Sequence, residues 1–488
     1  MSSHNVLPPA DPLGFKAERR ASDHFWVAIA AEPFDRVLAA VALLLVVGAY
    51  FVLLRLNVYG LDEVQYYADF TFKLREEGRW LNALLHYVLR SIPLPVGSLA
   101  YVVLLWLLMF RIAANFTTDR LSTVLIASLL SIGTPFVDQS LWPVSLLPTL
   151  LVMLGLAWLS KSGTSPRLVY VAGGILLFGC MQNYYFLLPL YYMNQLATGA
   201  PFTRQSIFQL FNHLAWWVVG CLIGVGVALL AVYLMVHQVG VHPAAWRKPM
   251  PVHDFNDLAR NVGYVWMQFV AHSRWFLFKM TRWSYIAFGG IALLILYRLK
   301  DWRFEVSRLG ILVVVAASFF AFSVPLAPVI QDRSLVGLSI ALALLLLVPH
   351  SSKGFAKWLS IALLLWVSWN LAGSAYADLR DYQQHTDFVL RKIDGVLPLN
   401  PGDYRAIAIV GTASPDAPDA LILNRPPMMR AIVLSTGAKQ FLDCQPDTGD
   451  PDCKVSSKAF HAASRQHAEG IEYLGTVNNI AVLSVGNQ

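Results

Sequence analysis

Residues 37–54 read VLAAVALLLVVGAYFVLL, a run without a single charge. About 20 apolar residues, or about 17 at the short end, carry a helix across the hydrocarbon core of a bilayer. The run therefore predicts a membrane helix. Comparable runs recur at 98–114, 121–137, 141–160, 212–236, 276–298, 307–326, 334–349 and 357–375. The whole chain agrees. Of its 488 residues 56% are apolar and 14% charged, with a mean hydropathy of +0.53, whereas a soluble domain carries roughly 25% charged residues to keep its surface wet. The polar leader Met1–Asp35 lacks the make-up of a cleaved signal peptide, so 37–54 is expected to be retained as a helix.

The net charge of +7 invites a nucleic-acid hypothesis until it is divided along the chain. Of 37 basic and 30 acidic residues, 10 and 13 fall after Ser374, leaving 27 and 17 on the apolar body. No basic stretch is long enough, or interleaved enough with aromatics, to form a nucleic-acid groove. The basic residues instead mark connections: Lys16, Arg19, Arg20 and Arg36; Arg111 and Arg120; Lys161 and Arg167; Arg204; Arg298, Lys300, Arg303 and Arg308; Lys353 and Lys357. Placing all of these in the cytoplasm requires an even number of crossings between neighbouring groups. Every interval complies if 168–200 is a hairpin turning near Gln182. The expectation is an all-α polytopic membrane protein with about eleven transmembrane helices. It comprises a cytoplasmic segment 1–36, a membrane domain 37–375 with outer loops 55–97 and 237–275, and an outer domain 376–488.

The outer domain alternates as a small α/β fold. Helices are expected at Ala377–Gly395 and Ser457–Ala468, and strands at Tyr404–Val410, Met429–Ser435 and Asn479–Val485. Cys444 and Cys453, in the loop CQPDTGDPDC, are expected to bridge in an oxidising compartment. Cys180 and Cys221 lie in apolar runs and read as packing residues.

The first outer loop concentrates the chemistry. NVYGLDEVQYYADF (57–70) places Asp62 and Glu63 just beyond the membrane, and 72–91 reads as one amphipathic helix lying in the interface. Leu81, Leu84, Leu85, Val88 and Leu89 share its apolar face. Arg75, Arg79, Asn82, His86 and Arg90 form a stripe turned toward headgroups or a lipid-linked substrate. A carboxylate there can serve as general base on a hydroxyl, with nearby cations stabilising a phosphate leaving group. Snorkelling explains the stripe equally well, and a helix-dipole acid pair explains Asp62-Glu63. In the second outer loop Arg247, Lys248 and Arg274, like Arg333 later, lie on the side that charge counting disfavours for cations. A local ion pair of small value also accounts for Asp332-Arg333. His242, His253 and His272 lack tight ligand spacing, so no metal is expected.

LDEVQYYADF (61–70) and GRWLNALLHYVL (78–89) resemble the signature of the bacterial type II glucosyltransferase family, polytopic enzymes of the GT-C class. TPFVDQSLWPVSLLP (134–148), MQNYYF (181–186), QDRSLVGL (331–338) and TDFVLRKIDGVLPL (386–399) with YRAIAIVGT (404–412) extend the resemblance over about residues 45–410. Gly78-Arg79-Trp80 is its most specific piece. The acid pair is Asp-Glu where two aspartates are common in the family.

The resemblance implies a multi-pass enzyme of the bacterial inner membrane, with a cytoplasmic N-terminus and a periplasmic C-terminal domain. Its donor would be a hexose, expected to be glucose, on a polyprenyl phosphate such as undecaprenyl phosphate. A separate synthase and flippase would supply that donor. The acceptor would be a surface glycan such as lipid-linked O-antigen of lipopolysaccharide, and transfer would invert the anomeric carbon without a cofactor. On this reading Asp62, then Glu63, is the base. Arg79, Arg333, Arg75 and Arg274 hold the donor phosphate. Tyr66, Tyr67, Trp80, His86, Asp138, Gln182 and Tyr184 contact sugar or acceptor. The rival readings are an O-antigen polymerase or ligase using arginines of 237–275, and a non-enzymatic flippase. A flippase would favour midplane charges and internal repeats, neither of which the sequence displays.

Overall fold

The computed structural model describes residues 33–54, 71–92, 94–116, 120–196, 204–243, 247–278, 302–345, 404–410, 441–444, 451–463 and 471–485, with scattered helical positions between 358 and 384. It is mostly helical, with a small C-terminal sheet. Among the described residues three helices are long and apolar enough to cross a membrane, with spans Val96–Ala113, Pro143–Lys161 and Ile207–Val236.

Helix α1 (Pro33–Leu54) buries Ala42, Val46 and Tyr50 at four-residue spacing and exposes Val41, Leu44 and Leu45. That is the division expected where one face meets protein and the other lipid. After two short helices, α2 (Thr71–Glu77) and α3 (Trp80–Leu89), comes α4 (Leu94–Ala113), then α5 (Arg120–Ser131) and α6 (Thr134–Gln139). The expected crossing 121–137 is thus two pieces. At 1.5 Å per residue α5 measures about 18 Å, short of the roughly 30 Å core. Gly133 is extended at the start of α6 and Pro135 occupies its first turn, where proline's missing N–H costs nothing. Both would have interrupted a continuous helix.

Helices α7 (Pro143–Lys161) and α8 (Pro166–Phe178) follow. The chain breaks at Gly179–Met181 and returns as a 3-10 helix, Gln182–Tyr192, then α9 (Met193–Leu196). The turn near Gln182 is where the sequence placed it, but the return limb is not an α-helix. Helix α10 (Arg204–Val236) packs tightly on α8. A side chain on Gly174 would strike the Gly220 backbone, and one on Gly224 the Gly174 carbonyl, so glycines let these backbones meet.

The segment 237–275 does not remain a loop. Helix α11 (Phe255–Phe278) runs through it, exposing Val262, Trp266 and Met267 and burying Val265 and Phe276. Two side-chain amides also turn inward. Asn261 Nδ2 donates to the Met250 carbonyl (2.6 Å), and Gln268 donates to the Pro328 carbonyl (3.0 Å) while accepting from Ile330 N–H (2.8 Å). Helices α12 (Trp302–Ser323) and α13 (Val336–Leu345) complete the described bundle, and most of the expected crossing 276–298 lies outside the described residues.

In the C-terminal sheet, strands β1 (Ala406–Val410), β2 (Phe441–Cys444), β3 (Ile471–Val477) and β4 (Ile480–Val485) lie in the order β2-β1-β4-β3. Strand β1 pairs parallel with β2 and β4, and β3 and β4 form an antiparallel hairpin. Asn478 and Asn479 turn that hairpin with φ of 52° and 62°, which asparagine tolerates. Strands β2 and β3 were not expected, and Met429–Ser435 and most of Ala377–Gly395 lie outside the described residues. The expected helix 457–468 is α14 (Pro451–Ala463), which begins early enough to hold Cys453. The Cys444–Cys453 disulfide is present and ties β2 to α14.

Candidate functional site

The continuous helix expected over 72–91 is broken at Gly78. The Gly78 N–H closes the last turn of α2 on the Leu74 carbonyl (2.9 Å). Its φ of +70° then reverses the chain, a conformation that glycine adopts without penalty. The reversal brings the Arg79 guanidinium back onto the Glu77 carboxylate. The new helix, α3, has no side-chain cap; Leu81 N–H (2.9 Å) and Asn82 N–H (3.2 Å) donate instead to the Gly179 carbonyl. A Cβ at Gly179 would lie 2.7 Å from the Trp80 ring. Glycine is therefore what lets the chain at 179 approach the start of α3.

Breaking the helix also changes the fate of its polar stripe. Asn82 and His86 are buried against protein, Asn82 Nδ2 donating to the Ser145 carbonyl (2.9 Å). Tyr87 and Val88 face outward. The middle of the stripe, Asn82 and His86, is thus buried, Asn82 against α7, while Arg75 and Arg90 at its ends are exposed.

Glu77 is the centre of the arrangement. Its carboxylate, 7% exposed, is bound by Arg79, by Lys73 at 3.0 Å and by Arg247 at 2.8 Å. Lys73 stands one turn earlier on α2; Arg247 arrives from the segment between α10 and α11. That loop is further held by His242 N–H on the Arg75 carbonyl (3.0 Å). Burial by itself pushes the Glu77 carboxyl up, but Arg79, Lys73 and Arg247 outweigh it and hold the carboxyl well below the usual carboxylate range. A carboxylate so firmly ionised and so fully engaged is a poor proton acceptor.

Around this cluster lies a small cleft of about 40 Å³, lined by Lys73, Glu77, Arg79, Gln139, Trp142, Ser145, Leu146, Met181, Arg247, Arg333 and Ser334. Four of these residues are cationic and one is acidic. The Arg333 guanidinium lies 4.3 Å from the Trp142 ring centroid. The Arg333 carbonyl accepts from Gln139 Nε2 (2.7 Å), whose Oε1 accepts from the Tyr184 hydroxyl (2.6 Å). Asn183 Nδ2 donates to the Ser334 carbonyl (3.0 Å), and Gln182 Nε2 to the Glu77 carbonyl (3.2 Å). Asp332 pairs with His272 of α11 (2.8 Å), and Arg333 lines the cleft. Arg79 Nε and Trp142 Nε1 are buried donors with no hydrogen-bond partner among the described residues. Such donors are costly to leave unmet.

Of the residues singled out in the sequence, Arg79 and Arg333 line the cleft together. Gln182 and Tyr184 brace its wall, and Asp138 is half-buried beside Gln139. Arg75 and Arg274 are exposed and outside the lining, so the structure does not group them with Arg79 and Arg333. Trp80 and His86 pack within the protein rather than on the cleft. Asp62, Glu63, Tyr66 and Tyr67 lie outside the described residues. Sequence reasoning missed Lys73 and Glu77, whose i,i+4 spacing just before Gly78-Arg79 was a readable pairing signal. It also gave no role to Gln139 and Trp142. Among the described residues no three His, Cys, Asp or Glu side chains gather in a metal-binding group. No known family model, characterised protein or solved structure matches this chain.

Proposed function

We propose that the chain is a membrane glycosyltransferase of eleven crossings, moving a hexose from a polyprenyl-phosphate carrier to a hydroxyl of a surface glycan at the outer face of a bacterial inner membrane. The observation that supports this reading is the cleft that joins Arg79 and Arg333 with Lys73 and Arg247, beside two unmet buried donors. A phosphate ester fits such a charge balance. In the reaction the acceptor oxygen forms a bond to the anomeric carbon as the bond from that carbon to the phosphate oxygen breaks. The bonding pair leaves with the polyprenyl phosphate, which gains a negative charge, and the acceptor proton passes to a carboxylate. Fixed cations at the leaving oxygen lower the barrier because they meet charge that develops during the step. Glu77 is engaged elsewhere, so Asp62 is the base we assign, with Glu63 second.

Arg247 gives one rival reading a specific observation. It comes from the second outer loop, where an O-antigen polymerase or ligase would be expected to keep its arginines. Sugar analysis of surface polysaccharide, with and without the protein, separates the two. Loss of a side-branch hexose from chains of normal length supports hexosyl transfer. Shortened chains of unchanged composition would contradict it and favour polymerisation.

A further inference from the structure

We infer that Glu77 is a positioning residue for the phosphate of the lipid-linked donor: it gathers cations from two outer loops and fixes the directions in which they face the cleft. The inference deepens the proposed function and rests on its assignment of the cleft to a phosphate. Glu77 draws Lys73 from its own helix, Arg79 from across the Gly78 reversal, and Arg247 from the other loop. Three cations this close repel one another, and Glu77 supplies a counter-charge that all three share. With Glu77 in place they are held at one wall, with Arg79 Nε left over as a donor. A planar guanidinium fixed in this way loses little freedom when it takes up a phosphate oxygen.

Two roles for Glu77 predict opposite signs. If it were only a counter-charge competing with the ligand, its neutralisation would raise the positive charge of the cleft and tighten anion binding. A positioning role predicts weaker binding in spite of that added charge. Glu77→Asp gives a second contrast, since it keeps the charge but withdraws the carboxylate by one methylene. A counter-charge role leaves binding unchanged there, and a positioning role weakens it.

The test measures binding of a short-chain polyprenyl phosphate to the full chain in lipid nanodiscs, reading affinity and stoichiometry together. We expect Glu77→Gln and Glu77→Asp each to weaken binding about tenfold at unchanged stoichiometry. In hexose transfer, the donor KM should rise while the acceptor KM keeps its wild-type value. Tighter or unchanged binding in Glu77→Gln overturns the inference, as does lowered stoichiometry at wild-type affinity, the mark of a purely structural role. Glu77→Asp at wild-type affinity overturns it too, and is informative even if Glu77→Gln does not accumulate. If the wild type binds polyprenyl phosphate through Glu77 but moves no hexose, the transferase reading fails while the Glu77 inference stands. If it moves hexose and the variants bind like wild type, only the inference fails.

Discussion

Glu77 is a buried carboxylate with three cationic partners, and its energetics are those of a network rather than of a surface pair. Removing one member leaves the others uncompensated, which costs about 3–5 kcal/mol for a buried ion pair. Glu77→Gln is therefore expected to lower the thermal stability of the purified protein at neutral pH. The pH dependence has a definite sign. The folded-state carboxyl is held below its ordinary value of 4.5, so its contribution is fully present above about 4.5 and is lost as pH falls below that. Unfolding scans of wild type and Glu77→Gln should converge on acidification. A gap that stays constant down to pH 3 would contradict the ionised network. Asp62 carries the complementary prediction. Asp62→Asn should express normally and lose hexose transfer by about a hundredfold or more, measured by incorporation into acceptor glycan. Unchanged transfer would remove Asp62 as the base.

Among the elements, the α8–α10 contact brings two backbones together at glycines, and those glycines predict its response to substitution. Gly174→Ala would press a methyl into the Gly220 backbone and should cost about 1–3 kcal/mol or more through overpacking. Gly226 has open space where its Cβ would stand, so Gly226→Ala should be neutral or slightly stabilising. Thermal unfolding in detergent compares the two, and equal effects would contradict the packing assigned here. The elements also mark how far the sequence could be read. Long apolar runs such as 141–160 and 212–236 specify their helices because no local signal opposes them. The break within 121–137 was present as Gly133 and Pro135 but was outweighed by hydropathy. Helix α11 was hidden because Asn261 and Gln268 share its buried side with Val265 and Phe276 while Trp266 and Met267 are exposed, which blurs the division into one apolar and one polar face. The 3-10 limb after Gln182 could not be read at all. Its backbone is set by tertiary partners such as Asn115, which donates to the Leu190 carbonyl (2.9 Å). Arg79 and Arg333 were recognisable as cations on an unexpected side, but the carboxylate that organises Arg79 follows only from the Gly78 reversal.

In the molecule as a whole, the segments that charge counting assigns to one side meet at one end of the bundle. Lys73–Arg79, Gln139–Leu146, Met181, Arg247 and Arg333–Ser334 enclose the cleft. Two of the basic residues assigned to the other side, Arg111 and Arg308, line no part of it. Arg308 Nη2 donates to the Phe116 carbonyl and Arg111 Nη2 to the Ala157 carbonyl, each at 3.3 Å. The disulfide bears on the same assignment. Replacing Cys444 and Cys453 by serine should destabilise the C-terminal domain by about 2–3 kcal/mol, read as increased proteolysis, and wild-type protein from intact cells should show no free thiol at these positions. Hexose transfer by the purified full chain, reconstituted in liposomes with polyprenyl-phosphate-linked glucose and a lipid-linked glycan, tests the central claim most directly. The account predicts transfer by the wild type and a loss of about a hundredfold in Arg79→Ala and in Arg333→Ala at normal folding. No transfer by the wild type, or wild-type rates in both arginine variants, would contradict it.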